Sequence, residues 1–554
     1  MSLQTLMHAL GVLMESWSGL ATLVILMTTL KLLVILLLKN TRVVSQQQRE
    51  RFIQLPPGPP TLPIIGNMHQ MIWNKQPAVF RWIHRLLREM NTDILCLRLG
   101  STHVIVLACP EIACEVLQKN DEAFSSRPAT FASGLFSFGY KGSSMSPHGE
   151  QWKKIRRVLT NEILAPSTEQ KLHPIRKEEY DYLLRCIHNN STNSSSTSNM
   201  NFVGVRQVAQ HFCGNMIRRL VFGKRYFNDL PTSLTSGPGQ DEVVHVAALF
   251  TAVNHLYSFC LSDYFPVLVG LDLEGHEMVA KDVMAILNRL HDPLIEERMH
   301  ERSTTAEKGK SEKKEARDLL DVLVYLEDAE GKPLLSFQEI RAQIAEMMFA
   351  IVDNPSNVVE WALAEMMNRP EVLRKATDEI DTVVGKDRLV QESDIPRLNY
   401  LKSCIREAFR IHPYHPFNMP HVAIADITVA GYTIPKDSHV ILSRTGLGRN
   451  PKVWIEPLEF RPERHLNTPN VRLNDPDLRF VSFSTGRRGC PGISLGTSVT
   501  MMLFARMLQG FTWTKPPGVS TISLEEGKGS LALAQPLVLQ AEPRLAAHLY
   551  VSIK

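Results

Sequence analysis

One stretch restricts this chain more than any other: Phe483-Ser484-Thr485-Gly486-Arg487-Arg488-Gly489-Cys490-Pro491-Gly492. It sets a single cysteine in a loop rich in glycine and arginine. The following run, Ile493 to Leu508, has the apolar pattern of a buried helix. At such a loop-to-helix junction, unpaired amide N–H groups and the positive end of the helix dipole favour a thiolate, and a thiolate is a metal ligand. Phe483 covers one side of the cysteine. Gly486 and Gly489 permit a tight turn and the close approach of a flat ligand, and Arg488 offers a fixed cation to a carboxylate. Gly492 lets the next helix lie close to that ligand. The plainer alternative is a buried structural cysteine in a turn.

The run matches F-x-x-G-x-R-x-C-x-G at each of its five specified positions. It thereby resembles the haem-binding loop of the cytochrome P-450 monooxygenases. The resemblance implies haem b with Cys490 as proximal thiolate and metal ligand, and Phe483, Arg488 and Gly492 against the cofactor. It also implies a mainly α fold with a small β region: one large catalytic domain behind an N-terminal membrane anchor.

Composition sets outer bounds. A chain of 554 residues invites several domains, although a single large one is compatible with that length. The net charge of +4 is small for the length and implies no nucleic-acid partner. Eight cysteines without a C-x-x-C pair or disulfide-like spacing point to a reducing compartment.

From Trp17 to Leu38 the chain is apolar apart from Lys31, close to the roughly 20 residues that span a bilayer. Lys39, Arg42, Arg49 and Arg51 follow and keep that flank cytosolic, so the N-terminus is expected in the lumen. A cleaved signal peptide is the alternative, but it lacks a basic n-region and a small-x-small site. The proline-rich run Leu55 to Asn67 reads as a stiff extended spacer, or else a partner-docking segment. The expected organisation is a lumenal tip and anchor over 1–40, a basic flank and linker over 41–66, and the catalytic domain over 67–554. Such an organisation is that expected of a single-pass protein of the endoplasmic reticulum membrane with its catalytic domain in the cytosol. Ile94–Leu99 and His103–Leu107 read as a hairpin. The polar run 189–199 and the charged run 301–317 read as surface loops.

Other motifs gather meaning from the cysteine. Glu407 and Arg410 share a helix face at i,i+3, in a run ended by His412-Pro413. Alone, such a pair is usually a surface ion pair. In the resembled family, Glu407, Arg410 and Arg464 form a structural charge network. Trp152 and Arg156 share another face and match the family's W-x-x-x-R, which binds a haem propionate. Lys153, Lys154 and Arg157 lie off that face and are either simply solvated or a landing site for an acidic electron donor. His421 falls where the family has a basic propionate ligand; a plain surface histidine is the alternative.

One departure narrows the function. Most of the family carries A-G-x-D/E-T-T/S over the oxygen site. Here the run is Ala350-Ile351-Val352-Asp353-Asn354-Pro355-Ser356-Asn357, with Asn354 in place of the threonine and Pro355 removing a backbone donor. Asp353 and Asn354 are the candidate catalytic residues. The N-P-S-N variant, with the C-terminal motifs from His412 onward, resembles plant family seventy-nine, which N-hydroxylates amino acids. The resemblance implies an L-amino acid converted to an aldoxime with O2 and with NADPH electrons from an NADPH-cytochrome reductase. Downstream use lies in cyanogenic glucosides or related defence compounds. Asn354, Ser356, Asn357, Asn418 and Arg444 are candidate partners for the substrate's amine and carboxylate. Phe131, Phe136, Phe138, Tyr414, Phe417, Asn418 and Leu531 are candidates for the side-chain pocket. That aromatic content favours L-phenylalanine over tyrosine, tryptophan and the aliphatic amino acids. A reductase-independent isomerase and a haem sensor are the alternative classes.

Overall fold

The computed structural model describes residues 54–73, 78–192, 202–227, 239–256, 258–307, 315–467 and 470–551. The anchor expected over Trp17–Leu38 and its basic flank lie outside these residues. The described residues are mainly helical, with three small sheets of four, three and two strands among them.

The four-stranded sheet contains the expected hairpin. Strand β1 (Ile94–Leu99) pairs antiparallel with β2 (Thr102–Leu107). Two later strands complete it: β3 (His421–Val422), and β4 (His439–Leu442), which lies parallel to β2 and antiparallel to β3. The order is β1-β2-β4-β3. This β-branched sheet is buried on both faces, and so its strands carry near-continuous apolar runs.

Six helices build the surroundings of the cysteine loop. They are α1 (Glu150–Val158), α2 (Val205–Phe222), α3 (Gln240–Leu256), α4 (Phe337–Met367), α5 (Asn399–Ile411) and α6 (Ile493–Gly510). Helix α4 is the axis. It opens on a capping box in which Ser336 and Glu339 satisfy each other's backbone N–H, and it carries Pro355 inside. Nearly all of its length is buried because α2, α3, α5 and α6 pack around it. The stretch Gln240–Tyr264 is long and apolar enough to cross a membrane by length and composition. Its helical part α3 nevertheless packs on α2 and α4 through Ala248, Leu249, Ala252 and Val253.

Three expectations change. The proline-rich run is extended, but over its described part it is pinned to the sheet. Pro57 O accepts from Cys96 N at 2.8 Å, and the Asn67 side chain bridges Pro60 O (3.0 Å) and Arg98 N (2.8 Å). A Cβ on Gly58 would meet Cys96 O at 2.0 Å, so only glycine lets the two backbones approach this closely. The run 189–199 begins inside the helix His173–Thr192, and the run 301–317 begins inside the helix His276–Glu307. Arg317 then returns to Glu301 at 2.7 Å and Asp321 at 2.8 Å, ion pairs that a count of charges along the chain does not reveal.

Candidate active site

Cys490 sits where the loop enters α6. Its backbone N–H donates to Phe483 O at 2.8 Å, closing the loop on itself. Gly486 takes φ +74°, and a Cβ there would meet Leu117 O at 2.3 Å, so two constraints independently demand glycine. Phe483 packs edge-on to Phe409 of α5 and against Gly496 of α6.

The sulfur opens on a cavity of about 310 Å³ between the loop and α4. Its walls include Arg127, Arg156, His421, Phe483, Arg488, Cys490 and Gly492, together with Ala350, Ile351, Asp353, Asn354 and Pro355. Burial pushes the Cys490 thiol up, against the Gly492 N–H and the Arg156 and Arg444 charges, which favour the thiolate. The loop and its cations therefore only partly offset burial. A bound metal ion is what makes a thiolate dominant at such a position.

The cation set is unusual for an interior. Arg488 is buried and, among the described residues, its hydrogen bonds go to carbonyls, those of Ser125 (2.5 Å), Ser143 (3.3 Å) and Ser146 (2.8 Å). Arg156 donates to Gly489 O at 2.8 Å, and Arg127 to Met419 O and Pro420 O, each at 2.8 Å. Burial, together with the Arg127 and Arg156 charges, lowers Arg488 to about 8. Trp152 lies under Arg488, its ring 4.3 Å from the guanidinium carbon, and its buried Nε1 has no hydrogen-bond partner among the described residues. A buried cluster of three guanidiniums beside an unpartnered indole N–H has the chemistry of a site for a dianion. A flat macrocycle carrying two carboxylates and a metal that binds a thiolate would fit these residues.

His421 lines the same cavity, and its Nδ1 donates to Phe124 O at 2.7 Å. Burial and the Arg127 charge push it well below its usual value, so the ring is neutral. It serves as a wall there, and the cation on this side is Arg127. Sequence reading missed Arg127, whose only signal is an arginine ahead of a proline in Ser126-Arg127-Pro128. It also missed Glu346, a carboxylate in the apolar run Ile344–Phe349. Glu346 accepts from the N–H groups of Ser143 (2.7 Å), Ser144 (2.9 Å) and Met145 (3.2 Å) and so fixes the loop that forms one wall.

The expected structural network is assembled and sealed. Glu407 accepts from Arg410 at two positions (2.8 Å each), from Arg464 Nε (2.8 Å) and from His465 (2.7 Å). Burial opposes this charge, but Arg410 and His465 prevail and hold the carboxyl at about 2.

The substrate candidates divide. Asn354, Asn418 and Arg444 line the central cavity, whereas Ser356, Asn357 and Tyr414 line a second, polar cavity of about 370 Å³ behind α4. Phe131 and Phe417 line a third, of about 70 Å³, that shares Arg127, Met145, Leu256, Asn418 and Met419 with the central one. Phe136 packs into the core on Phe349, Phe138 lies beneath the Arg341 guanidinium, and Leu531 is buried with its carbonyl on Trp361 Nε1. None of these three lines a described cavity, because each is used to seat its own loop.

The cytochrome P450 family model matches residues 56–541. This chain belongs to the cytochrome P450 family. It is a haem-thiolate monooxygenase with the P450 fold, and P450 enzymes of this kind draw electrons from a redox partner and act on small molecules. Among curated relatives of this P450, the tyrosine N-monooxygenase of Sorghum bicolor is 57% identical over 501 residues, 90% of this chain and 88% of the relative. The tryptophan N-monooxygenase 1 of Arabidopsis thaliana is 47% identical over 538 residues, 97% of each chain. A phenylalanine N-monooxygenase of Arabidopsis thaliana is 47% identical over 513 residues, 92% of this chain and 95% of the relative.

Proposed function

We propose that this P450 is an amino-acid N-monooxygenase. It hydroxylates the nitrogen of an L-amino acid twice, and loss of water and carbon dioxide then leaves the aldoxime. Each hydroxylation uses one O2 and two electrons from NADPH, delivered by an NADPH-cytochrome reductase. The observation that carries this reading is the set of near full-length N-monooxygenase relatives, reinforced by the Asn354-Pro355 pair in the wall of the cavity.

When bound, haem supplies a thiolate-ligated iron that activates O2. Cys490 is the ligand in this reading, and Cys490→Ala should abolish the red-shifted Soret band of the reduced, carbon monoxide-treated protein. Arg127, Arg156, Arg488 and Trp152 Nε1 hold the two propionates, with His421 as a neutral wall. Phe483 and Gly492 shape the cysteine side. Asp353 and Asn354 present hydrogen-bonding groups to the substrate side. Glu407, Arg410 and Arg464 lock the core behind the loop. The apolar run Trp17–Leu38 fits an anchor in the endoplasmic reticulum membrane, with the domain over 67–554 in the cytosol.

For the substrate, the third cavity, which adjoins the central one, favours an aromatic side chain, since Phe131, Phe259 and Phe417 border it. L-phenylalanine is the first reading. L-tyrosine is the second, favoured by the 57% identity to the Sorghum bicolor enzyme. Microsomes carrying the protein and a plant reductase, given NADPH and an equimolar amino-acid mixture, decide between them. Phenylacetaldoxime is the expected main product, and the p-hydroxy analogue would select tyrosine. A dominant aliphatic oxime rejects the aromatic assignment, and no oxime from any amino acid rejects the reaction class. Oxime formation without NADPH would reject the reductase.

A further inference from the structure

The cavity wall formed by α4 is modified at two adjacent positions, and both changes leave acceptors. Pro355 has no N–H, so the carbonyl of Ile351, four residues earlier, receives no helical hydrogen bond from it. Asn354 turns its amide nitrogen to Asp353: both the backbone N–H (2.7 Å) and Nδ2 (3.0 Å) donate to Asp353 Oδ1. A carboxylate oxygen only accepts, so this contact fixes which end of the amide is engaged and leaves the Asn354 Oδ1 lone pairs for another donor. Asp353 is itself held from the far side, its Oδ2 lying 3.2 Å from His415 Nε2. His415 is buried, its ring edge-on to Tyr414. Ile351, Asn354 and Pro355 all line the cavity that Cys490 opens on.

We propose that the Ile351 carbonyl and Asn354 Oδ1 form the subsite for the substrate's amine, with Asp353 and His415 as positioning residues that hold the Asn354 amide in this orientation. The inference rests on the amino-acid reading above and names the atoms that make it selective. An amine offers two N–H donors and meets two acceptors one helical turn apart or less. With both N–H groups turned to α4, the nitrogen lone pair faces into the cavity. Both acceptors are neutral, and the Asp353 carboxylate in the same wall is already taken up by Asn354 and His415, so the direct contacts offered to the amine come from uncharged groups. The free amine is the form whose nitrogen can be oxygenated. A threonine at 354 and an ordinary residue at 355 would remove both features together: the hydroxyl would return to a helical carbonyl, and the restored N–H would occupy the Ile351 oxygen.

Binding, measured separately from turnover, tests this. The full-length holoprotein is titrated by calorimetry with L-phenylalanine against 3-phenylpropanoate, and with L-tyrosine against 3-(4-hydroxyphenyl)propanoate. Each pair differs only in the amine. The wild type should prefer the amino acid. Pro355→Ala, which returns an N–H to the helix, and Asn354→Leu, which removes the side-chain acceptor, should each reduce that preference by about fivefold to tenfold, one hydrogen bond's worth. His415→Ala should reduce it less, and His415→Gln should restore part of it. Affinity for the desamino acids should stay within about twofold throughout, reporting an intact pocket. A preference that survives both Pro355→Ala and Asn354→Leu overturns the subsite, as does a loss shared equally by amino and desamino acids. A wild type that binds both members of each pair alike overturns the amino-acid reading as well.

Discussion

Two buried clusters of charge flank the cysteine loop, and they are built on opposite plans. Around Glu407, one carboxylate collects Arg410, Arg464 and His465, and the remaining guanidinium N–H groups go to backbone carbonyls such as Gly448 O and Pro457 O. Around Arg488, three guanidiniums share a cavity with one another. Glu346, the carboxylate whose charge acts on Arg488, is already taken up by three backbone N–H groups. The first cluster pushes its carboxyl down to about 2, and the second pushes its guanidinium down to about 8. A closed network supports the fold by itself. A cluster of like charges is a fold feature completed by its ligand, and the difference separates structural from functional arginines, which have the same sequence signature.

Breaking the closed network should have the largest effect. Glu407→Gln removes the carboxylate that pairs with Arg410, Arg464 and His465, and an uncompensated buried charge of this kind costs about 3–5 kcal/mol. Thermal unfolding of the purified protein should show that loss, with a sharp fall in yield of the form giving the haem-thiolate band. The pH dependence follows from the direction of the shift. The folded-state value lies below the ordinary 4.5, so the stabilisation is fully present above 4.5 and fades as pH falls towards about 2. The stability gap between the wild type and Glu407→Gln should therefore be constant near neutrality and close in that acid window. A gap independent of pH would mean that Glu407 acts through packing rather than charge.

The open cluster should break differently. If its charges await two carboxylates, the apoprotein should take up haem dimethyl ester about tenfold to a hundredfold less tightly than haem, since each lost charge-assisted hydrogen bond is worth about 1.5–3 kcal/mol and water recovers part of it. Arg156→Leu should weaken haem uptake and narrow the gap between acid and ester. Unfolding of the apoprotein should move far less than for Glu407→Gln. Equal uptake of haem and its ester would place the propionates elsewhere.

The contrast also marks what the sequence carries. The cysteine loop, the hairpin, α5 and the Glu407 network were legible because each is written in a short segment with fixed spacing or clear periodicity. Arg127 and Glu346 were not. Their roles depend on contacts made between segments some two hundred or more residues apart, Glu346 with Ser143 and Arg127 with Met419, and such pairings have no local period. The aromatic candidates failed to separate for the same reason. Phe131 and Phe136 lie five residues apart, yet one borders the third cavity and the other packs on Phe349. Asn354 and Asn357, three apart on α4, line different cavities although i,i+3 spacing puts them near one another on the helix surface. Composition identifies an aromatic loop, but only the packing says which rings a ligand meets.

A third set of cations, on the outer face of α1, sharpens the comparison at the surface, where the smallest effect is expected. Sequence alone gives Lys153, Lys154 and Arg157 equal standing. In the fold, Lys153 pairs with Glu150 at 2.9 Å and Lys154 with Glu339 at 2.7 Å, while Arg157 is exposed and makes no close ion pair among the described residues. An acidic electron donor docking here would meet Arg157 as the cation not already neutralised. Arg157→Glu should then lower the rate of reductase-supported reduction by about threefold to tenfold at low salt, through association. Lys154→Ala should do less, because its charge is already spent on Glu339. Exposed charges are screened beyond about 8 Å at physiological ionic strength, so the Arg157→Glu deficit should shrink as salt is raised. Stopped-flow reduction of the wild type and both variants across a salt series checks this. A deficit that persists at high salt would make Arg157 a packing contact rather than a steering charge, and equal effects of the two substitutions would return the face to the undivided basic patch read from sequence.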